Sequence, residues 1–419
     1  MLILGASVLL LQVFATASAT EAERYDTATN VTSRSGKALS IFQIIKFKHD
    51  PCPGDGTRQG ICHSNAECVA LGGKSSGSCA NGYGVCCIVA LTCGQTTSSN
   101  CSYLTQPTNP TGSNMVSVCQ YTVCKCTPDV CRIRLDFTTF SIAGPQVGTT
   151  FDGAAPLNIG NAIGECSTDS FAMTLSEGHS PSPICGFNTG QHMIYEPSDM
   201  CDEATFILGA AAAGVRARNW DIKITQYKCG DEAVAGPPGC LQYFSTDVGR
   251  ISSYNFPTNS ATIGAQTTHL SRQAYSICIR RNEGFCAICY VPSIVPPAPT
   301  AADQASYGLD KGAAAVHDLD CRFDYLQIPN AEAFPLPVAM PGTPLTNMIG
   351  KQLFCGRIFN VDVAAALPAS VCSTTAPFRL GFSTGGGEFT NMATPEKNEL
   401  MGAPGGIVGF SLDYRQIPC

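Results

Sequence analysis

Charge is scarce in this sequence: Asp, Glu, Lys and Arg make up 14% of it and the balance is -7. That excludes nucleic acid and an anionic membrane surface as partners, since both demand a basic patch. Histidine is also sparse. The six residues His49, His63, His179, His192, His269 and His317 are scattered, none at ligand spacing from a second, which disfavours a zinc site. No G-D-S-G and no H-E-x-x-H occurs, and neither Ser nor His sits in a recognisable triad context. The sequence therefore offers no catalytic residue, no metal ligand set and no cofactor, and the expectation is that the protein is not an enzyme. Beyond its first nineteen residues it has no apolar run of the length a membrane helix needs, so no membrane insertion is expected.

What is present is cysteine, 24 residues in all. The start, MLILGASVLLLQVFATASA, has a short apolar core followed by Ala17 and Ala19 in an A-x-A arrangement, which reads as a secretory signal over 1–19. All the cysteines lie past that cut. An even, dense set in an oxidising compartment reads as disulfides, and the protein as secreted and extracellular. Abundant Gly, Pro, Ser and Thr between short apolar segments point to a mainly β chain rich in loops. A polar arm over 20–40 carries the sequon Asn30-Val31-Thr32, and Asn100 opens a second, Asn100-Cys101-Ser102. The segment Ile41 to Phe47 reads as one short strand.

The first cysteine block, over 41–90, holds Cys52, Cys62, Cys68, Cys79, Cys86 and Cys87. So short and Gly-rich a stretch encloses little apolar core, and covalent staples must supply what burial does not. Adjacent Cys86 and Cys87 point to opposite faces if extended, so they bridge to different partners. In cysteine order and in its closing double cysteine the block resembles the clip domain of arthropod secreted proteins; a generic knotted spacer is the alternative. The resemblance implies bridges Cys52 to Cys86, Cys62 to Cys79 and Cys68 to Cys87.

The rest of the chain contains a weak internal repeat. RNWDIKITQYKC, ending at Cys229, lines up with VGFSLDYRQIPC, ending at Cys419, so that Trp220, Ile222 and Ile224 fall on Phe410, Leu412 and Tyr414. Both segments alternate as half-buried strands do. Upstream, Cys166-Ser-Thr-Asp169 matches Cys321-Arg-Phe-Asp324, Cys185-Gly186 matches Cys355-Gly356, and Cys201 with Phe206 and Leu208 matches Cys372 with Phe378 and Leu380. Two copies of one sandwich follow, over 93–229 and 240–419. The order C-x-x-D, C-G, apolar strand, closing aromatic strand resembles the CUB domain, an antiparallel β-sandwich of secreted proteins. The longer series NCSYL, VCRIRLDF, ICGFNTGQHM, NWDIKITQYKC and YSICIRRNEGFCAICY resembles a family of arthropod CUB proteins whose function is not established. The implied architecture is two CUB-like antiparallel β-sandwiches behind a small disulfide-rich clip-like domain.

The repeat predicts bridges Cys166 to Cys185, Cys201 to Cys229, Cys321 to Cys355 and Cys372 to Cys419. Further expected pairs are Cys93 to Cys119, Cys240 to Cys278, Cys101 to Cys124, Cys126 to Cys131 and Cys286 to Cys289, with no free thiol. The last pair is the C-x-x-C of GFCAICYVPS, which aligns with the wider Cys126 to Cys131 loop and reads as a local structural loop rather than a redox centre or half a zinc site.

Many CUB domains bind calcium through three acidic side chains. Here only the C-x-x-D acids, Asp169 and Asp324, match: Ala143 and Gly144 stand where the first acid of copy one is expected, its late loop reads GAAAAG, and Gly385 stands where the last acid of copy two is expected. Each retained Asp reads as a turn residue accepting backbone hydrogen bonds, and added calcium is expected to leave the melting temperature unchanged. The densest basic spots, Arg216 with Arg218 and Arg280-Arg281, read as solvated faces. The long Pro- and Ala-rich segment from Pro292 to His317 is expected to be exposed and to form part of a partner or self-assembly contact. The function these features favour is non-catalytic binding of an extracellular protein or glycan by sandwich loops. The alternatives are a structural subunit of an extracellular matrix or polymeric assembly and a regulatory cofactor of a clip-type protease cascade.

Overall fold

The computed structural model describes residues 49–107 (except 55 and 57), 117–146, 163–210, 218–259, 262–263, 267–297, 306–310, 315–333, 350–386 and 407–419. The expected signal, arm, first strand and Asn30 lie outside these residues, as does Arg216.

The head comprises β1 (Pro51–Pro53), β2 (Gln59–His63), helix α1 (Asn65–Ala70), β3 (Lys74–Cys79) and β4 (Gly84–Leu91). Three bridges hold it: Cys52 to Cys86, Cys62 to Cys79 and Cys68 to Cys87. Helix α1 is little more than a turn, and a reciprocal cap fixes its start, the Ser64 side chain taking the Glu67 amide while the Glu67 carboxylate takes the Ser64 amide. The head is not a separate bead. Strand β4 runs on from its staples to pair in parallel with the first sandwich, Val89 opposite Ser102 and Leu91 opposite Leu104.

The first sandwich contains β5 (Thr96–Thr97), β6 (Ser102–Thr105), β7 (Ser117–Val123), β8 (Val130–Ser141), β9 (Asp169–Thr174), β10 (His192–Tyr195), β11 (Asp202–Leu208) and β12 (Asn219–Lys228). One sheet has the order β6-β12-β8-β10 and the other β5-β7-β11-β9. After helix α2 (Glu232–Ala235) the second sandwich follows: β13 (Gln242–Phe244), β14 (Val248–Ser252), β15 (Ala274–Ile279), β16 (Phe285–Pro292), β17 (Tyr307–Gly308), β18 (Ala315–His317), β19 (Tyr325–Ala333), β20 (Lys351–Gly356), β21 (Val371–Ser373), β22 (Phe378–Ser383) and β23 (Gly409–Pro418). Its path β14-β23-β16-β21 repeats β6-β12-β8-β10, and β13-β15-β22-β19 repeats β5-β7-β11-β9. The protein is mainly β, a CUB-like β-sandwich fold behind a disulfide-rich N-terminal region.

Period-2 alternation decides which side chains build the cores. Trp220, Ile222 and Ile224 of β12 and Phe410, Leu412 and Tyr414 of β23 are all buried. Trp220 stacks on Phe206 at 4.2 Å, and its indole N–H donates to the Tyr121 hydroxyl at 3.0 Å, so the ring buries its apolar body without orphaning its donor. The C-G positions also match: Gly186 and Gly356 have φ of 80° and 78°.

The two sandwiches share one continuous core and are joined by hydrogen bonds from the edge strand of the first. The Ile194 amide donates to Leu241 O, the Tyr243 amide to His192 Nε2, and the Tyr254 hydroxyl to His192 O. An edge that would otherwise offer free backbone groups is thereby covered. Close approach explains one glycine here: a Cβ on Gly186 would sit 1.8 Å from Asn255 Oδ1 across the interface.

The expected exposure of Pro292 to His317 is overturned for most of its described part, with Ile294, Pro296 and Pro297 exposed as expected. Ser293, Val295, Ser306, Tyr307, Leu309, Ala315 and His317 are buried, β17 pairs with β23, and β18 pairs with β20. Tyr307 and Leu309 supply apolar surface that belongs to the core, and the Ser306 hydroxyl donates to Ser293 O at 2.7 Å. The composition of the segment hid these anchors; residues 298–305 and 311–314 lie outside the described residues.

Candidate functional site

Eleven disulfides are present, and Cys101 and Cys126 carry none. Outside the head the pairs are Cys93 to Cys119, Cys124 to Cys201, Cys131 to Cys229, Cys166 to Cys185, Cys240 to Cys278, Cys286 to Cys419, Cys289 to Cys372 and Cys321 to Cys355. Five expected pairs are thus replaced. Cys286 and Cys289 do not join because both lie in β16, where three residues span about 10 Å, beyond the ~7 Å that a bridge tolerates between Cα atoms. Cys289 lies opposite Cys372 in the ladder instead.

Cys229 and Cys419 follow β12 and β23, and antiparallel pairing sets those ends beside the starts of β8 and β16. Lys228 faces Val130 and Pro418 faces Phe285, with a register shift in each ladder. That geometry pairs Cys131 with Cys229 and Cys286 with Cys419, in place of Cys201 to Cys229 and Cys372 to Cys419. Cys286 therefore corresponds to Cys131, and the loop before it is shorter in the second copy. Cys201 goes to Cys124 because Asp202 faces Val123. With Cys124 and Cys131 committed elsewhere, the expected pairs Cys101 to Cys124 and Cys126 to Cys131 do not form.

Cys101 is buried with its sulfur near Gln59 O, and burial pushes its thiol pKa up; Cys126 is exposed. Thiol titration without reductant is expected to read two groups per unfolded chain and one, Cys126, in the native protein. A reading of zero in the unfolded chain would show that a twelfth bridge forms. Asn100 is exposed, and its amide donates to Gln226 O at 3.0 Å.

Between the sandwiches lies a cleft of about 590 Å³, lined by Arg132, His179, Tyr195 and Glu196 from the first and by Leu241, Ala274 and Tyr275 from the second. Strand β10, all of whose residues are buried, positions its floor: Ile194 packs against Cys240, Tyr243 and Cys278, while Met193 and Tyr195 belong to the main core. Tyr195 is 4% exposed and its hydroxyl has no hydrogen-bond partner. Burial, with Asp202 nearby, holds that phenol well above its ordinary pKa, so it is an O–H donor. Arg132 donates from Nη1 to Cys131 O at 2.6 Å and has Nη2 3.7 Å from Glu196, while its buried Nε–H has no partner. Glu196 in turn accepts from the Gly239 amide at 2.9 Å. Both unpartnered donors lie buried beneath the lining of this half-apolar recess, so a bound group reaches them only after a local side-chain shift.

The two acids of the repeat have different surroundings. Asp169 is fully buried, and Arg218 closes on it with Nε to Oδ2 at 2.7 Å and Nη2 to Oδ1 at 2.6 Å. The Ala143 and Gly209 amides take up one further position on each oxygen. The protein thus supplies its own cation at this carboxylate, and Arg218 is a buried partner, not part of a solvated face. Asp324 accepts from the Gly385 amide at 2.7 Å; burial pushes its carboxyl pKa up, opposed by His269. Arg280 is exposed and tied to Asn282 and to the carbonyls of Ala233 and Ser245. Sequence reasoning assigned no role to Arg132 in VCRIRLDF, to His192 in ICGFNTGQHM or to Tyr195 just beyond it; the alternation of their strands marks them as core or surface and says nothing of a cleft.

Stapled antiparallel sandwiches of this kind are typical of extracellular proteins. Residues 237–417 match the family model for the animal CUB domain, so the second sandwich is of that class. No curated protein matches the chain. Similar solved structures include the CUB1-EGF-CUB2 domains of rat MASP-1 (12% identity, 78% of this chain and 99% of that one, TM-score 0.23). The corresponding domain of human MASP-1/3 is similar at 13% identity (75% and 98%, TM-score 0.21). The full extracellular region of zebrafish Gpr126/Adgrg6 is similar at 12% identity (78% and 36%, TM-score 0.22). Among the described residues no helix is long and apolar enough to cross a membrane.

Proposed function

We propose that the protein is secreted through a signal over 1–19, glycosylated at Asn30 and Asn100, and acts as a non-catalytic extracellular binding protein of the arthropod clip-plus-CUB kind. Its partner is an extracellular protein or glycan. A CUB domain is an extracellular protein–protein interaction module. The observation that carries the finer reading is the cleft between the sandwiches, where the buried Tyr195 hydroxyl lacks a partner. With blocks taken as 41–90, 93–229 and 240–419, recognition belongs to the contact between the last two.

Ala274 is exposed on the cleft wall, and Ala274→Trp fills the recess without touching the core. In pull-downs from the native fluid, this variant is expected to lose most of the partner recovered by the unaltered chain. Tyr83→Ser, on the exposed face of the head, is expected to keep it. The reverse result would move recognition to the head and favour the protease-cascade cofactor.

One observation favours the assembly-subunit reading: Val118 and Ile207 face each other across β7 and β11, 65% and 53% exposed. An apolar cross-strand pair turned outward suits a protein contact. Size-exclusion chromatography at several concentrations separates the readings, since an assembly subunit shifts to larger species that Ile207→Lys abolishes.

A further inference from the structure

The chain segment before β1 folds back over the end of β2 and brings together two histidines that the sequence keeps apart. His49 and His63 have ring centroids 4.4 Å apart, and the His63 ring lies 3.9 Å from Glu67 Oε2. One donor atom from each of His49, His63 and Glu67 falls within 4.8 Å of the others. Sequence spacing, which places no histidine at ligand distance along the chain from a second one, does not express this approach in space. We propose that these three residues form a binding site for a zinc-class divalent cation in the head.

The first argument is the tautomer of His49. Its Nδ1 lies 2.9 Å from Cys62 O, so that nitrogen carries the proton and Nε2 keeps the lone pair. A ring N–H donated to a backbone carbonyl is the arrangement that orients a metal-ligating imidazole. The second is His63, whose Nδ1 is buried without a hydrogen-bond partner. A buried nitrogen facing a carboxylate and a second imidazole is stabilised by a cation among them.

The third is Glu67. Its Oε2 accepts two hydrogen bonds from Ser64, which fix the carboxylate in place, and further lone pairs remain. All three ligands stand on stapled backbone. Cys62 and Cys68 neighbour His63 and Glu67, and the Cys62 amide donates to Asp50 O, which ties the His49 segment down.

Two imidazoles and a carboxylate suit zinc or copper rather than calcium or magnesium, which require oxygen ligands throughout. A tetrahedral ion with bonds near 2.0 Å holds its ligands about 3.3 Å apart. From the present separations of up to 4.8 Å the ligands need to close by only about 1.5 Å, a shift that small side-chain adjustments supply without releasing the Cys62 and Ser64 hydrogen bonds. Three protein ligands leave one position for water or a donor from another molecule.

Calorimetric titration of the chelator-treated full chain with zinc is expected to show one saturable equivalent at pH 7.5. Protons compete for the imidazoles, so binding weakens markedly at pH 5. His63→Gln and His49→Gln are each expected to weaken it at least tenfold, the lower range for loss of even a supporting residue. His49 is exposed and its replacement leaves every disulfide intact, so its variant serves even if His63→Gln disturbs the fold. Calcium is expected to give no heat. Absence of binding at millimolar zinc, or binding that neither variant alters, overturns the proposal.

Discussion

Replacing Arg218 by alanine is expected to cost about 3–5 kcal/mol of folding stability, the range for breaking a buried ion pair. The side chains of Arg218 and Asp169 are 2% and 0% exposed, so solvent screens neither charge. Removing the guanidinium leaves a buried carboxylate held by the Ala143 and Gly209 amides alone, and also frees Gly209 O, to which Arg218 Nη2 donates. Desolvation of the stranded carboxylate dominates the loss, because Asp169 cannot reach water without opening the end of the sandwich. The double variant Asp169→Asn with Arg218→Met removes both charges and is expected to recover part of the stability, since the side-chain amide oxygen still accepts from one of the two backbone amides while the other is left facing a donor. Urea unfolding at pH 7 measures both. A loss below about 1 kcal/mol for Arg218→Ala, the scale of an exposed pair, would show that the site is wet and the ion pair incidental. Calcium added to Arg218→Ala is a further readout: a midpoint that rises only in this variant would show that the arginine stands in for a cation.

That pair also marks where the sequence stops being legible. Arg218 lies beside a strand whose alternation is plain, yet nothing in the spacing says that its side chain turns inward to Asp169. The strands themselves were readable, because alternation over NWDIKITQYK and GFSLDYRQIP depends on local sidedness alone. Bridges that close within one corner of the fold, such as Cys166 to Cys185 and Cys321 to Cys355, recur at matching motif positions. Bridges between strands depend on register. Cys201 and Cys372 align in sequence, but one stands before β11 beside the end of β7 and the other lies within β21 opposite Cys289. A one-dimensional repeat cannot express which strand end faces which. The cleft and the His49, His63 and Glu67 cluster were hidden for the same reason, since each is assembled by residues from separate elements.

The interface between the sandwiches carries the largest expected response to pH. His192 is buried in β10, 5.1 Å from the Phe244 ring, with Nε2 accepting from the Tyr243 amide and its own carbonyl accepting from the Tyr254 hydroxyl. Burial first, and the charge of Arg134 second, push its pKa down to about 3 from 6.5. Protonation would also turn the Nε2 acceptor toward an N–H it now receives. The unfolded chain binds a proton below pH 6.5 and the folded chain does not, so stability falls as pH falls, by about 1.4 kcal/mol per unit. Over pH 6.5 to 4.5 the loss assigned to His192 is then about 2.5 kcal/mol, before most carboxylates titrate. Asp324 acts in the opposite sense: its raised pKa lets the folded state take up a proton first, so its contribution is present at low pH and is lost as pH rises through that value. His192→Gln separates the two. Its side-chain oxygen can still accept from Tyr243 and it does not titrate, while Asp324 is unchanged. Urea midpoints are expected to fall on acidification more steeply in the unaltered protein than in this variant. Parallel pH profiles would show that the imidazole is charged in the folded state and that acid acts on this interface through other groups.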